Sequence, residues 1–166
     1  MLIRDARPEE YEEVGNLVAD VYATIIPGLD DYAHDLRDVA GRIDAGVLVW
    51  VAEVEGAIAG TVSYVPGLGP YAEFEDPHGA GIRMLAVLPV FQGHGVGMAL
   101  VQACLDRARV DQRSAVYLDT TRWMETAQRM YARMGFERTP ELDWEPVPGM
   151  TLFKYIYRLA PDAAPS

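Results

Sequence analysis

The segment Leu85-Ala86-Val87-Leu88-Pro89-Val90-Phe91-Gln92-Gly93-His94-Gly95-Val96-Gly97 constrains this chain more than any other. An apolar stretch, Ile82 to Leu88, ends at a proline, and glycines follow at 93, 95 and 97. From Val96 the apolar residues Leu100, Val101, Cys104, Leu105 and Ala108 recur at the spacing of one helix face. The pattern predicts a central strand, a tight turn and a helix that begins at once. Such a turn aims free backbone N–H groups and the positive helix end at one point, where a pyrophosphate fits without a basic side chain. Two other phosphate loops do not match. A Rossmann turn needs a further glycine where Leu100 stands, and a Walker A loop needs Gly-Lys-Ser/Thr, which is missing. A glycine corner with a purely structural role stays open on this segment alone.

The rest of the chain alternates strand and helix signals. Leu2 to Asp5 reads as a short strand. Pro8, Glu9 and Glu10 suit the start of a helix, and Tyr11, Val14, Leu17, Val18 and Val21 give it one apolar stripe. Pro27-Gly28 breaks the chain, and a weaker helix is expected from Tyr32 to Ile43. Val47 to Glu53 and Ala57 to Val65 read as a hairpin around Glu55-Gly56. Pro66 to Gly81, with four glycines and three prolines, reads as a loop. Ala115 to Leu118 is a strand, Met124 to Met134 a helix closed by Gly135, and Phe136 to Arg138 and Thr151 to Arg158 the last strands. The order βααβββαβαββ is an α/β layout with a mixed sheet.

The 166 residues suit one domain over 1–159, with 160–166 a short flexible tail containing Pro161 and Pro165. There is no apolar run long enough to cross a membrane and no secretory signal, and the single cysteine, Cys104, cannot form an intrachain disulfide. A cytoplasmic, membrane-free protein is the expectation. The net charge of -11 argues against nucleic acid, which needs clustered Lys and Arg, and an acidic field favours a cationic acceptor such as an amine.

Gln92-x-x-Gly95-x-Gly97, directly after Leu85-x-Val87-x-Pro89, resembles the Arg/Gln-x-x-Gly-x-Gly/Ala signature of the GNAT (Gcn5-related N-acetyltransferase) superfamily. Downstream, Ala127, Tyr131, Gly135 and Phe136 match the GNAT segment Asn-x-x-Ala-x-x-x-Tyr-x-x-x-Gly-Phe, with Met124 in place of its Asn. Element order matches from about Leu2 to Arg158. The resemblance implies a mixed, mostly antiparallel sheet of about seven strands, splayed at the cofactor site and flanked by about four helices. It implies an acetyl-CoA-dependent N-acetyltransferase, with acetyl-CoA as co-substrate and no metal, acting on a small-molecule or peptide amine in a ternary complex. It also allows pairing into a homodimer through sheet edges. A catalytically weak CoA-binding sensor or partner-binding module on the same fold is the alternative.

Residue by residue, the resemblance gives the backbone of Leu85, Ala86 and Val87 to the pantetheine arm, with the Val87 N–H meeting the oxyanion. The N–H groups of Gln92, Gly93, His94, Gly95, Val96 and Gly97 go to the pyrophosphate, with the His94 side chain read as exposed. Tyr131 becomes the acid that protonates the departing thiolate, although its spacing also suits a core residue. Many relatives carry a glutamate on the central strand where this chain has Gly81. A base is therefore sought in the loop where Glu73, Glu75, Asp76 and His78 cluster, with Glu75 and His78 favoured, or water alone serves. Strand alternation puts Arg83, Leu85 and Val87 on one face unless a bulge intervenes, and leaves Arg83 to hold an acceptor carboxylate or to pair with an acid. Tyr32 and Trp144, with Tyr22, Asp30 and Asp31, are candidates for the acceptor rim.

Overall fold

The computed structural model describes residues 1–159, so the expected tail at 160–166 lies outside the described residues. The elements are β1 (Leu2–Asp5), α1 (Tyr11–Ile25), α2 (Ala33–Arg37), α3 (Val39–Asp44), β2 (Leu48–Val54), β3 (Ala57–Val65), β4 (Gly79–Val87), α4 (Val96–Val110), β5 (Ala115–Thr120), α5 (Glu125–Met134), β6 (Glu137–Arg138), β7 (Trp144–Val147) and β8 (Met150–Arg158). The sheet runs β1-β2-β3-β4-β5-β8-β6, with β7 also paired to β8. Its neighbours are antiparallel except β4 and β5, which run parallel.

Each face of the sheet carries a helix layer because its strands alternate. Val49 and Val51 of β2 pack with Val14, Leu17, Val18 and Val21 of α1 and with Leu36 and Val39 beyond it. Trp50 and Ala52 point the other way, into a core with Leu100, Val101, Cys104 and Leu105 of α4 and Tyr131 of α5. Leu100 is wholly buried, and cutting such a side chain back to alanine costs ~2–5 kcal/mol.

Four sequence expectations are revised. The helix expected over Tyr32–Ile43 is two short helices, because the Asp38 backbone leaves the helical region (φ -81, ψ 67) and its side chain accepts from the Gly41 N–H at 3.0 Å, capping α3. The sheet gains an eighth strand, β7, which the sequence reading missed. The central strand begins at Gly79 rather than Ile82. Its glycines are there for close contact and not for a turn: a Cβ on Gly79 would meet Tyr117 at 2.7 Å and one on Gly81 would meet Phe74 at 2.8 Å, and those two rings are stacked 5.2 Å apart. Finally, Met84 takes a positive φ of 54 where the β3–β4 register slips, a bulge that breaks the alternation of β4.

Candidate active site

The turn after β4 is built as its glycines require. Gly93 and Gly95 both sit in the left-handed region (φ 79 and 80), and Gly95 is the N-cap of α4. A Cβ on either would meet nothing within 4 Å, so the turn faces open space. The Gln92 N–H is spent on Pro89 O, while the first helical bond of α4 is Ala99 N–H to Gly95 O at 3.0 Å. The N–H groups of Gly93, His94, Gly95, Val96 and Gly97 therefore have no backbone acceptor among the described residues, and they lie at the positive end of α4. The Gln92 side chain donates to Val87 O at 3.0 Å and ties the turn to the strand. His94 is exposed, and its ring Nδ1 lies 3.0 Å from the Gln92 carbonyl.

Beside this turn the sheet forks. β4 and β5 pair only over Gly79–Ala115, Ala80–Val116 and Gly81–Tyr117, after which β5 stays with β8 and β4 stays with β3. Leu88 N–H bonds to Ala59 O, so by alternation along an antiparallel pair the N–H and C=O of Val87 point away from β3, into the gap. Ala86, the next residue back, is by the same alternation bonded toward Thr61 of β3 and not into the gap. A donor strand with one free edge and a crown of free amides at its end is a site for an extended arm that ends in phosphates.

The bulge at Met84 decides which side chains flank the gap. Leu85 and Val87 pack toward the α4 layer, whereas Met84 and Ala86 pack toward α1. Arg83 also lies on the α1 side, so it does not share a face with Leu85 and Val87 as strict alternation required. Both terminal nitrogens of its guanidinium are engaged: Nη2 donates to Tyr32 Oη at 2.7 Å and lies 2.6 Å from Glu73 Oε1, and Nη1 donates to Tyr71 O at 3.3 Å. Arg83 thus pairs with an acid, one of the two roles the sequence left open.

Across the fork from Arg83 stands Asp119 of β5, directly opposite Lys154 of β8. Lys154 and Asp119 are 4% and 6% exposed, an ion pair almost wholly out of water. The Lys154 ammonium lies 3.1 Å from both Asp119 oxygens but is aligned as a donor only to Oδ2, and it also donates to the Glu73 carbonyl. Asp119 Oδ1 is left without a hydrogen-bond donor. The Glu73 carboxyl and the Asp119 carboxyl line the same small cavity. Burial, with Asp119 second, pushes Glu73 up to about 8 against the opposing pull of Arg83. Glu73, Gly81, Arg83, Asp119 and Lys154 line a small cavity, ≈ 10 Å³ in terms of where a water's centre can sit, which is room for about one water.

Tyr131 is buried in the α4–α5 layer, its ring 5.4 Å edge-on to Phe136 and 6.3 Å from Tyr155. Burial pushes its phenol up, and its hydroxyl makes no hydrogen bond among the described residues. After burial, the strongest influence keeping the Tyr22 phenol protonated is Tyr131. Tyr22 belongs to α1 and Tyr131 to α5, in the helix layers on opposite faces of the sheet.

The other candidates fall unevenly. Tyr32 is at the site through Arg83. Trp144 caps the cluster, its indole N–H 3.3 Å from Asp119 Oδ2 and its ring 6.0 Å from the Lys154 ammonium. Glu75 is exposed on the loop, as are Asp30 and Asp31 near α2. His78 stands at the closed end of the fork, its carbonyl accepting from Ser114 N–H, roughly 30 Å along the strand from Val87 at about 3.3 Å per residue. Asp76 is occupied structurally by His78 N–H, Ser114 Oγ and Tyr117 Oη. Asp119 and Lys154 were missed in the sequence, although a lysine in an otherwise apolar strand, Phe153-Lys154-Tyr155-Ile156, was a signal for a buried pair.

Comparison with known proteins agrees with this geometry. The family described as "Acetyltransferase (GNAT) family" matches residues 11–136. N-acetylaspartate synthetase of Danio rerio is 31% identical over 130 residues, covering 76% of this chain and 44% of that protein. N-acetyltransferase 8 of Rattus norvegicus is 33% identical over 132 residues, covering 75% and 57%. The chain thus spans less than half the length of the synthetase and little more than half that of the second relative. Among solved structures, the ribosomal-protein-alanine N-acetyltransferase of Brucella melitensis shares the fold with a TM-score of 0.72 at 22% identity, over 96% of this chain and 100% of that one. An acetyltransferase of Salmonella typhimurium with its cofactor acetyl-CoA does so with a TM-score of 0.70 at 20% identity, over 100% and 98%. Among the described residues no helix is long and apolar enough to cross a membrane. With its family match covering most of the residues from α1 to the end of α5, this chain belongs to the GNAT acetyltransferase family.

Proposed function

We propose that this protein moves the acetyl group of acetyl-CoA directly onto an amine of a small molecule or peptide, with both substrates bound at once. The observation that carries the reading is the row of free amides from Gly93 to Gly97 set at the mouth of the β4–β5 gap. Those amides hold the pyrophosphate, and the free edge of β4 at Leu85 and Val87 takes the pantetheine arm. The Val87 N–H, pointing into the gap, stabilises the oxyanion formed on attack. Tyr131 keeps its proton at neutral pH because burial raises its phenol, and it delivers that proton to the departing thiolate. Direct transfer is favoured because the one cysteine, Cys104, is buried in α4 and held as a thiol by that burial.

The acceptor enters from the α1 side, between Tyr32, Arg83 and Trp144. Arg83 already lies against Glu73 and Lys154 against Asp119, so an anionic acceptor would compete with those carboxyls for either cation. The synthetases similar to this chain carry N-acetylaspartate in their names, so aspartate belongs in any acceptor screen alongside neutral and cationic amines. The test is release of free thiol from acetyl-CoA over amino acids, polyamines and peptides with free N-termini. Amine-dependent thiol release is the expected result. Tight acetyl-CoA binding with no release on any amine would favour the sensor reading instead.

A further inference from the structure

We propose that Glu73 and Asp119 act as one carboxyl pair, in which Glu73 takes the proton that the acceptor amine sheds on attack and Asp119 is the positioning residue that holds Glu73 for it. The inference rests on the acetyl-transfer reading and names the proton acceptor for it.

Position carries the argument first. Gly81 and Tyr117 are the last paired residues of the fork, and Arg83 and Asp119 follow each of them by two, on the same face. Glu73 reaches this point from the loop before β4, where Gly81 contributes no side chain. The cluster therefore sits at the closed end of the gap into which the Val87 N–H points, on the side from which the acceptor enters.

Bonding carries it further. Both cations are committed: Lys154 to Asp119 and to the Glu73 carbonyl, Arg83 to Tyr32, to the Tyr71 carbonyl and to Glu73. They fix the two carboxyls in place. Asp119 Oδ1 has no hydrogen-bond donor among the described residues, so a proton on Glu73 finds an open acceptor in the cavity that both residues line. The groups facing Glu73 are Arg83 from β4, Asp119 from β5 and Lys154 from β8, with Tyr22 of α1 and Tyr32 beyond Arg83. Burial outweighs the cations and pushes Glu73 up to about 8, toward the range in which a general base works. A cluster that served only to close the fork would gain nothing from two carboxyls lining one small cavity.

The step balances as follows. The free amine attacks the thioester carbon; the N–C bond forms and the C–S bond breaks. One N–H proton passes through water to the Glu73 carboxylate, which lines a cavity with room for about one such molecule. The electron pair of the C–S bond leaves on sulfur, which takes the Tyr131 proton, and the Glu73 proton returns to the tyrosinate through solvent. Amine and thioester become amide and thiol, with no other reactant.

The experiment has two arms. ¹³C NMR titration of the carboxyl carbons follows Glu73 in the intact protein, and kcat/KM is followed against pH for wild type, Glu73→Gln and Asp119→Asn, using the amine that releases thiol fastest in the screen. Glu73 is expected to titrate well above the ordinary carboxylate range, with its midpoint on the acid limb of the wild-type rate profile. Glu73→Gln is expected to lower kcat about 100-fold or more and to erase that limb. Asp119→Asn is expected to move the limb to lower pH while leaving kcat above it within about tenfold, since the neighbouring negative charge is gone. Acetyl-CoA affinity should be unchanged in both variants, which separates lost chemistry from lost fold. A Glu73→Gln variant with the wild-type rate at every pH, or a Glu73 midpoint in the ordinary carboxylate range, overturns the proposal while leaving acetyl transfer standing. A wild-type protein that acetylates no amine overturns both.

Discussion

The ring of Phe74 occupies the place where Gly81 would carry a side chain: a Cβ on Gly81 would stand 2.8 Å from Phe74 Cε1. Phe74 cannot swing aside freely, because it is stacked on Tyr117, whose hydroxyl donates to Asp76 at 2.9 Å. Gly81→Ala is therefore expected to destabilise the fold by ~1–3 kcal/mol through overpacking. Urea denaturation measures it; an unchanged midpoint would mean that the stack yields without cost. Gly97→Ala is the matched control, since a Cβ there would make only ordinary contacts with Met130 and Val87 at 3.6 Å.

Tyr131→Phe separates chemistry from structure. The Tyr131 hydroxyl makes no hydrogen bond among the described residues, so its removal should leave the melting temperature and acetyl-CoA affinity unchanged. If the phenol protonates the thiolate, kcat should fall by ~10²-fold or more. Steady-state thiol release decides it, and an unaltered kcat would return Tyr131 to the core.

Stability should carry the signature of Glu73. Its folded-state pKa is raised, so the folded protein keeps a proton that the unfolded chain has already lost. The corresponding stability is fully present below the ordinary glutamate pKa of 4.5 and is lost as pH rises through the folded value of about 8. Relative to Glu73→Gln, which cannot ionise, wild type should lose stability steadily between those limits. Paired denaturation curves at several pH values measure the difference, and a gap that stays constant with pH contradicts the account.

Much of this was legible before any coordinates, and the reason is locality. The Gln92–Gly97 turn, the strand before it and the helices after it are written in adjacent residues, so periodicity and glycine spacing were enough. What escaped depends on distant partners. Gly79 and Gly81 read as loop residues because the rings that need their bareness lie at 117 and 74. The Met84 bulge, visible only against the register of β3, turned Arg83 to the α1 side. Glu75 and His78 were favoured over Glu73, because sequence cannot say which loop residue meets a lysine 81 positions later.

The central claim is that the free amides ahead of α4 hold the phosphates of the acetyl donor. Isothermal titration of wild type and Gly95→Leu with acetyl-CoA and with phosphate-free S-acetylpantetheine tests it most directly. Wild type is predicted to prefer acetyl-CoA, and the leucine, at a φ of 80 where side chains are strained, to weaken acetyl-CoA about tenfold or more while sparing S-acetylpantetheine. A folded Gly95→Leu protein that binds acetyl-CoA as tightly as wild type would contradict it.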